Sequence, residues 1–239
     1  MSNYHLKIIV LAAGKSTRFN GIKVLAPIIK KHPISTPSLA QAQPEHAISM
    51  VEHVLTQISS ALITLNISSA SLHIATGQYH AEITKFIGEK YSLIHCQDAN
   101  LGMGHTISNA VENMLQQTGS VQSDVSNISH VMITLADQIA LNTDDYIKLI
   151  KQSITTPEQL ICAMSAQPSE QLDNNSQGAV ISPPAIFPHR YFNDLLKLQG
   201  DKGAKALLHA HKDNLKTVLL PNAKIDIDTP VELNKWINS

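Results

Sequence analysis

The sequence predicts an α/β protein, a Rossmann-like three-layer α/β/α sandwich with a mostly parallel sheet. Three observations predict it. Short apolar runs alternate with stretches whose apolar residues recur at helical spacing, the βαβα rhythm of strands joined by crossover helices. One run, HVMITLA (130–136), reads as a fully buried strand. Hydrophobic residues make up 43% of the 239 positions and charged ones 15%, as suits a globular chain able to bury one large core.

From the amino terminus, LKIIVLA (6–12) reads as a strand that runs into a small-residue turn. AISMVEHVLTQISSAL (47–62) carries apolar residues at helical spacing. SLHIAT (71–76) is a strand, followed by a helix from about Tyr79 to Glu89. SLIHC (92–96) is another, followed by a helix from about Gly104 to Leu115. After HVMITLA comes a helix from Thr143 to about Ser153, and QLICAMSA (159–166) gives a fifth strand. Beyond Ser165 the rhythm loosens. PSEQLDNNSQG (168–178) is a polar loop, and AVISPPAIF is extended but broken by Pro183 and Pro184. Helices are expected around Arg190–Leu198 and Lys202–Ala210, with a late strand at LKTVLL (215–220). TPVELNKWIN (229–238) closes the chain as a helix capped by Thr229, with Pro230 at its first position. Residues 30–46 and 116–129 read as polar surface excursions, and the first lies near enough to the Gly14 turn to serve as a lid instead. No linker composition divides the chain, so one domain with a carboxyl-terminal elaboration is expected.

The bulk properties exclude several classes. A formal net charge of −1 argues against a general nucleic-acid or anionic-membrane binder, while leaving room for a local basic pocket. The first apolar run is too short for a signal segment, and no stretch reaches membrane-spanning length, so a cytoplasmic location is expected. Cys96 and Cys162 read as two buried free thiols. The 12 histidines are scattered, with no Cys/His cluster at metal-ligand spacing.

Chemistry is expected where strands end, because parallel sheets bind ligands at the carboxyl ends of their strands. Residues 8–27, IIVLAAGKSTRFNGIKVLAP, lead a buried strand into a turn carrying Lys15, Arg18 and Lys23. Backbone amides at such a strand end are unpaired, and Gly14 lets an anion approach them closely. With Arg18 and Lys23 beside it, that anion is expected to be a polyphosphate; the alternative is an ordinary turn with solvated cations. The GKST string is no P-loop, since that motif requires glycine where Ile9 stands. Asp137 directly follows HVMITLA, suited either to Mg2+ shared with phosphate oxygens or to capping the next turn. Asp226 and Asp228, in KIDIDTPVEL (224–233), alternate along an extended segment and so point to one face. In NLGMGHTISNAV (100–111), Gly102 and Gly104 allow close approach of a ribose or base at a helix start; a plain capping turn is the other reading.

LAAGKSTRFNGIK resembles the opening motif of the MobA/MocA-type nucleotidyltransferases, roughly LAAGxSxRFGxxK. It matches at Leu11, Ala12, Ala13, Gly14, Ser16, Arg18, Phe19 and Lys23, with Asn20 in place of a usual glycine. LADQIAL (135–141) is similar to the family's ADQP element, with Ile139 in place of proline, and KIDIDTPVEL to its closing DIDTPEDL signature. GMGHT is similar to a GMGxS element in which Thr106 keeps the hydroxyl. LLKLQGDKGAKALL (195–208) resembles LxxLxGDxGAxxLL, and SPPAIFP (182–188) resembles G-x-P-A-x-F-P with Ser182 in place of glycine.

These motifs run in order over almost the whole chain. The resemblance implies a fold of the nucleotide-diphospho-sugar transferase type. It also implies a single nucleotidyltransferase domain over 1–239, with a nucleotide-binding part at about 1–165 and an acceptor side at about 166–239. Arg18, Lys23 and Asp137 are then catalytic, and Leu11, Ala12, Ala13, Gly14, Lys15, Ser16, Gly102, Gly104 and Thr106 bind nucleotide. Mg2+ would be held by Asp137 with Asp226 or Asp228. Asp201, as a helix cap, and Lys202 and Lys205 belong to the acceptor side. The resemblance is strongest to the MocA-type molybdenum cofactor cytidylyltransferases, which move CMP from CTP to the terminal phosphate of molybdopterin and release pyrophosphate. Ala13, giving LAAG rather than LAGG, is the residue that points to CTP, and a molybdoenzyme or its chaperone is the implied recipient. A guanylyltransferase acting on molybdopterin or another small phosphorylated acceptor would keep the same catalytic residues. A nucleotide-sugar glycosyltransferase would use the D-x-D instead, and a non-catalytic cofactor-binding chaperone would need neither Lys23 nor Asp137.

Overall fold

Strand β1 (Leu6–Ala12) runs through the interior of a seven-stranded sheet in the computed structural model, which describes residues 4–28, 47–117, 128–166 and 179–239. After it come a short antiparallel pair, β2 (Pro27–Ile28) and β3 (Ile48–Ser49), and helix α1 (Met50–Thr64). Then follow β4 (Ser71–Thr76), α2 (His80–Ile87), β5 (Ser92–His95), α3 (Met103–Gln117), β6 (His130–Leu135), α4 (Thr143–Thr155) and β7 (Leu160–Ala166). The last part holds β8 (Ala179–Pro188), α5 (Phe192–Leu195), α6 (Lys205–Ala210), β9 (Leu215–Leu219) and α7 (Pro230–Ile237). The excursion expected at 30–46 and the loop at 168–178 lie outside the described residues, as does most of 116–129.

The strands lie in the order β5-β4-β1-β6-β8-β7-β9, and only β8 runs against its neighbours. Alternation along each strand sorts the core into two layers. Ile8 and Val10 of β1, Met132 of β6 and Ile161 of β7 face a layer closed by α1, α4 and α7, through residues such as Leu55, Leu149 and Leu233. Ile9 and Leu11, Val131 and Ile133, and Cys162 face the other layer, closed by α3, α5 and α6. Each fully buried Ile or Leu contributes about 1.5–3 kcal/mol relative to exposure, so both layers are needed to hold β1 dry on two sides. This is the expected α/β sandwich.

Reciprocal capping boxes start α1, α4 and α7: Ser49 with Glu52, Asn142 with Asp145, and Thr229 with Glu232. The last is the Thr229 cap expected from sequence, with Pro230 in the first turn. The helices around 190–210 are shorter than their periodicity suggests. Gly203 takes positive φ (+53°) and breaks the second of them, leaving α6 to begin at Lys205. Its N-cap is Ala204 with no side-chain cap bond, so the helix-capping role expected of Asp201 is not present. Strand β8 accommodates two prolines because they fall in a bulge: Ser182 pairs with Ala163 and Ala185 with Cys162, which leaves Pro183 and Pro184 unopposed on β7.

Both cysteines are free and buried, and burial pushes each thiol up to about 12, so they stay protonated at neutral pH. Among the described residues no helix is long and apolar enough to cross a membrane.

Candidate active site

The chain leaves β1 and next joins the sheet on one side at β4, whereas β6 lies on the other side. The carboxyl end of β1 is therefore a switch point, where connections diverge and a crevice opens. Ala136 N–H donates to Leu11 O (3.0 Å), holding the segment that leads to Asp137 against the start of the 13–22 loop. In that loop Ser16 takes φ +53°. Its carbonyl accepts from Phe19 N–H (2.9 Å) and its Oγ from Lys23 N–H (3.0 Å). Ser16 thus folds the loop back and fixes where the Lys23 side chain begins.

Lys23 is the hub. Its side chain is only 14% exposed, and Nζ meets Asp137 Oδ2 at 2.6 Å and Asp228 Oδ1 at 2.9 Å. Arg18 reaches the other oxygen of Asp228, with Nη2 to Oδ2 at 2.8 Å, while staying 65% exposed. Residues 18, 23, 137 and 228 thus converge from three loops. Burial works against the charged Lys23 ammonium, but the attraction of Asp137 and Asp228 outweighs it and raises its pKa above the ordinary lysine value. The hydrogen bond from Lys23, with the charge of Lys23 and Arg18, holds the Asp228 carboxyl below the usual range. Asp226 is surface-exposed yet lies in the same field: partial desolvation first, then repulsion from Asp137 and Asp228, raises its pKa. Ile227 between the two acids is buried, and of the two Asp228 lines the cleft while Asp226 does not.

Asp137 is bound to Lys23 rather than turned back to cap the next turn, and its Oδ1 is buried with no hydrogen-bond partner. Ile139, where proline was usual, does not leave this turn loose. Gln138 donates to Pro183 O (2.9 Å) and Ala223 O (3.3 Å), and the His53 ring bonds Ile139 O (3.1 Å). Among the described residues no three His, Cys, Asp or Glu side chains form a ready metal cage. The donor chemistry suits a divalent ion completed by phosphate oxygens, for which Asp137 Oδ1 is an open buried ligand.

Among the described residues three cavities meet at the β1 edge. The first, about 250 Å3, is lined by the charged cluster together with Leu11, Ala12, Gly14, Lys15 and Ser16. Nothing stands within 4 Å of a Cβ built on Gly14, so that backbone is open to the cleft. The second, about 200 Å3, takes Ala13 and Lys15 from the loop and adds Gln78, His95, Gln97 and Asn100. These four went unnoticed in the sequence. Their signal was positional, since they end or follow β4 and β5 at the same carboxyl edge as Gly14. The third, also about 200 Å3, has apolar walls from Leu11, Met103, Ile107 and Leu208, with Lys202 and Lys205 in its lining.

Gly102, Gly104 and Thr106 stand elsewhere. A Cβ on Gly102 would meet Asp201 and Gly200 at 2.4–2.6 Å, and one on Gly104 would meet the Gln199 backbone at 2.6–2.8 Å. The close approach expected of a ribose or base is made here by the chain's own 199–201 segment. Thr106 is buried and donates to Gly102 O at 3.2 Å.

The sequence profile described as the MobA-like NTP transferase domain matches residues 8–215. The purine catabolism protein PucB of Bacillus subtilis (strain 168) is 29% identical over 149 residues, which is 60% of this chain and 60% of PucB. Among solved structures, Rv0371c of Mycobacterium tuberculosis H37Rv superposes with a TM-score of 0.68 at 16% identity, covering 100% of both chains. Rv0371c is also described in complex with manganese. The 4-diphosphocytidyl-2C-methyl-D-erythritol synthase of Anaerococcus prevotii DSM 20548 gives 0.65 at 11% identity, covering 100% of this chain and 98% of that one. At these identities the structural matches establish the fold.

Proposed function

This chain belongs to the MobA-like NTP transferase family, and from that premise we propose that it is a nucleotidyltransferase that moves CMP from CTP to the terminal phosphate of molybdopterin, releasing pyrophosphate. The observation that carries the reading is the Lys23 ammonium held between Asp137 and Asp228 at the switch point, with Arg18 beside it. Phosphoryl-type transfer asks a protein for positioning and charge neutralisation more than for covalent chemistry, and this cluster supplies both.

The triphosphate lies along the open Gly14 backbone, with Arg18 and Lys23 neutralising it and then the departing pyrophosphate. The base occupies the cavity lined by Ala13, Gln78 and Asn100, on the far side of Lys15. Asp137 and Asp228, with Asp226 near them, would hold a divalent ion, which we take to be Mg2+ and which would supply charge neutralisation at the phosphate oxygens. The attacking phosphate is already anionic, so no side chain has to remove a proton from it. Residues 166–239 contribute the acceptor side, where Lys202 and Lys205 offer positive charge beside an apolar cavity.

CTP as donor is supported by Ala13, by the small second cavity, and by the cytidyl product in the name of the Anaerococcus neighbour. Molybdopterin as acceptor, with a molybdoenzyme or its chaperone as recipient, rests on the ordered MocA-type motifs. Two buried thiols kept reduced suit the cytoplasm. The test is pyrophosphate release from CTP or GTP with Mg2+, with and without molybdopterin. Release from CTP that requires molybdopterin is the expected result. Release only from GTP would assign guanylyl transfer, and none from either would remove the enzymatic reading.

A further inference from the structure

Three of the four carboxylate oxygens of Asp137 and Asp228 are already engaged by the chain's own cations. Lys23 holds Asp137 Oδ2 and Asp228 Oδ1, and Arg18 holds Asp228 Oδ2. Only Asp137 Oδ1 is left, buried and without a partner. A divalent ion that reaches the free protein must compete with an ammonium already seated between the two acids.

We propose that Lys23 is an internal stand-in for the metal, so that divalent ion and nucleotide bind as a coupled pair. This rests on the assignment of the cleft to a triphosphate. In the free protein the Lys23 and Arg18 charges satisfy Asp137 and Asp228, and metal alone binds weakly. A triphosphate offers both cations a more highly charged partner. As Lys23 and Arg18 turn to it, the acid oxygens are released to the ion. By linkage the same exchange makes nucleotide bind weakly without metal, because Lys23 must then leave two carboxylates bare. The arrangement also offsets part of the repulsion among the three acids: Asp226, which has no ion pair among the described residues, is repelled by Asp137 and Asp228 and attracted by Lys23.

Two titrations on the full-length chain test this. Mn2+ binding without nucleotide, followed by electron paramagnetic resonance, should be at least about tenfold tighter in Lys23→Met than in wild type, the size of an ordinary coupling between linked sites. Equal or weaker Mn2+ binding by a folded Lys23→Met protein overturns the proposal. CTP binding in EDTA, followed calorimetrically, should be tighter in Asp228→Asn than in wild type, because Lys23 then has less to leave; weaker binding there also overturns it. Absence of CTP binding in every variant, with or without Mg2+, would defeat the nucleotide assignment and leave the Mn2+ comparison to decide the stand-in role. Should Lys23→Met not fold, Lys23→Gln gives the same comparison.

Discussion

The two cavities that meet at Leu11 are built from opposite materials. On one side stand four charges linked in a chain by three ion pairs, carried by the loops that leave β1 and β6 and by the segment before α7. On the other stand Met103, Ile107, Ile133 and Leu208, with two lysines in the lining. The first is specified by a few side chains whose charge cannot be exchanged. The second is specified by shape, through backbone that packs at Gly102 and Gly104 against residues almost a hundred positions later. Under the proposed function the reaction belongs to the charged cleft, and the choice of acceptor to the packed one.

The comparison breaks most visibly at Asp137. Asp137→Ala should lower CTP-dependent pyrophosphate release by about 100–1000-fold, the usual size of a lost electrostatic anchor, while the protein remains folded in the absence of urea. Near-normal turnover would move the metal away from this carboxylate. The opposite signature belongs to Gly104→Ala. A Cβ there meets Gln199 backbone at 2.6 Å, so unfolding in urea should show a loss of about 1–3 kcal/mol. No loss would mean that the 199–201 segment can back away.

A smaller effect sharpens the boundary between the cavities. Replacing Lys202 and Lys205 together by Ala should raise the acceptor KM about tenfold and leave the CTP KM unchanged, since each loses a charged contact only on the acceptor side. A matched rise in both would put these lysines on the nucleotide.

The smallest effect concerns pH. Asp228 has a depressed pKa, so its contribution to stability is present above the ordinary aspartate value near 4 and lost as pH falls through the lower, folded value. Lys23 has a raised pKa, so its contribution is complete below the ordinary lysine value and lost as pH rises past the folded one. Asp228→Asn should therefore cost at most about 1 kcal/mol at pH 7, reduced by solvent screening of a partly exposed pair. The difference from wild type should shrink on acidification below pH 4, in urea melts across that range.

Much of this division was legible in the sequence, for physical reasons that differ between the halves. β1, β4, β5 and β6 are local apolar runs with helices between them, and periodicity alone locates them. Asp137 follows such a run directly and Lys23 stands at the end of the loop that leaves another, so their arrival at one sheet edge follows from the parallel topology. Asp228 arrives from the end of the chain, and only its pattern with Thr229 and Pro230 hinted at its position. The reversed β8 was not legible, because its two prolines obscure a strand whose tolerance depends on a bulge against β7. Nor was the packing of Gly102 and Gly104. A glycine admits close approach of either a ligand or the chain, and nothing within residues 100–111 distinguishes the two. The cavity of Gln78, His95, Gln97 and Asn100 is likewise a product of loops meeting from separate strands.

The account depends on the charged cleft being where the triphosphate binds. Isothermal titration of CTP with Mg2+ into wild type, Lys23→Ala and the doubly substituted Lys202→Ala, Lys205→Ala protein tests that most directly. The account predicts saturable binding by wild type, the same affinity for the double variant, and at least about tenfold weaker binding for Lys23→Ala. Undiminished binding by Lys23→Ala, with the loss falling on the double variant instead, would contradict it.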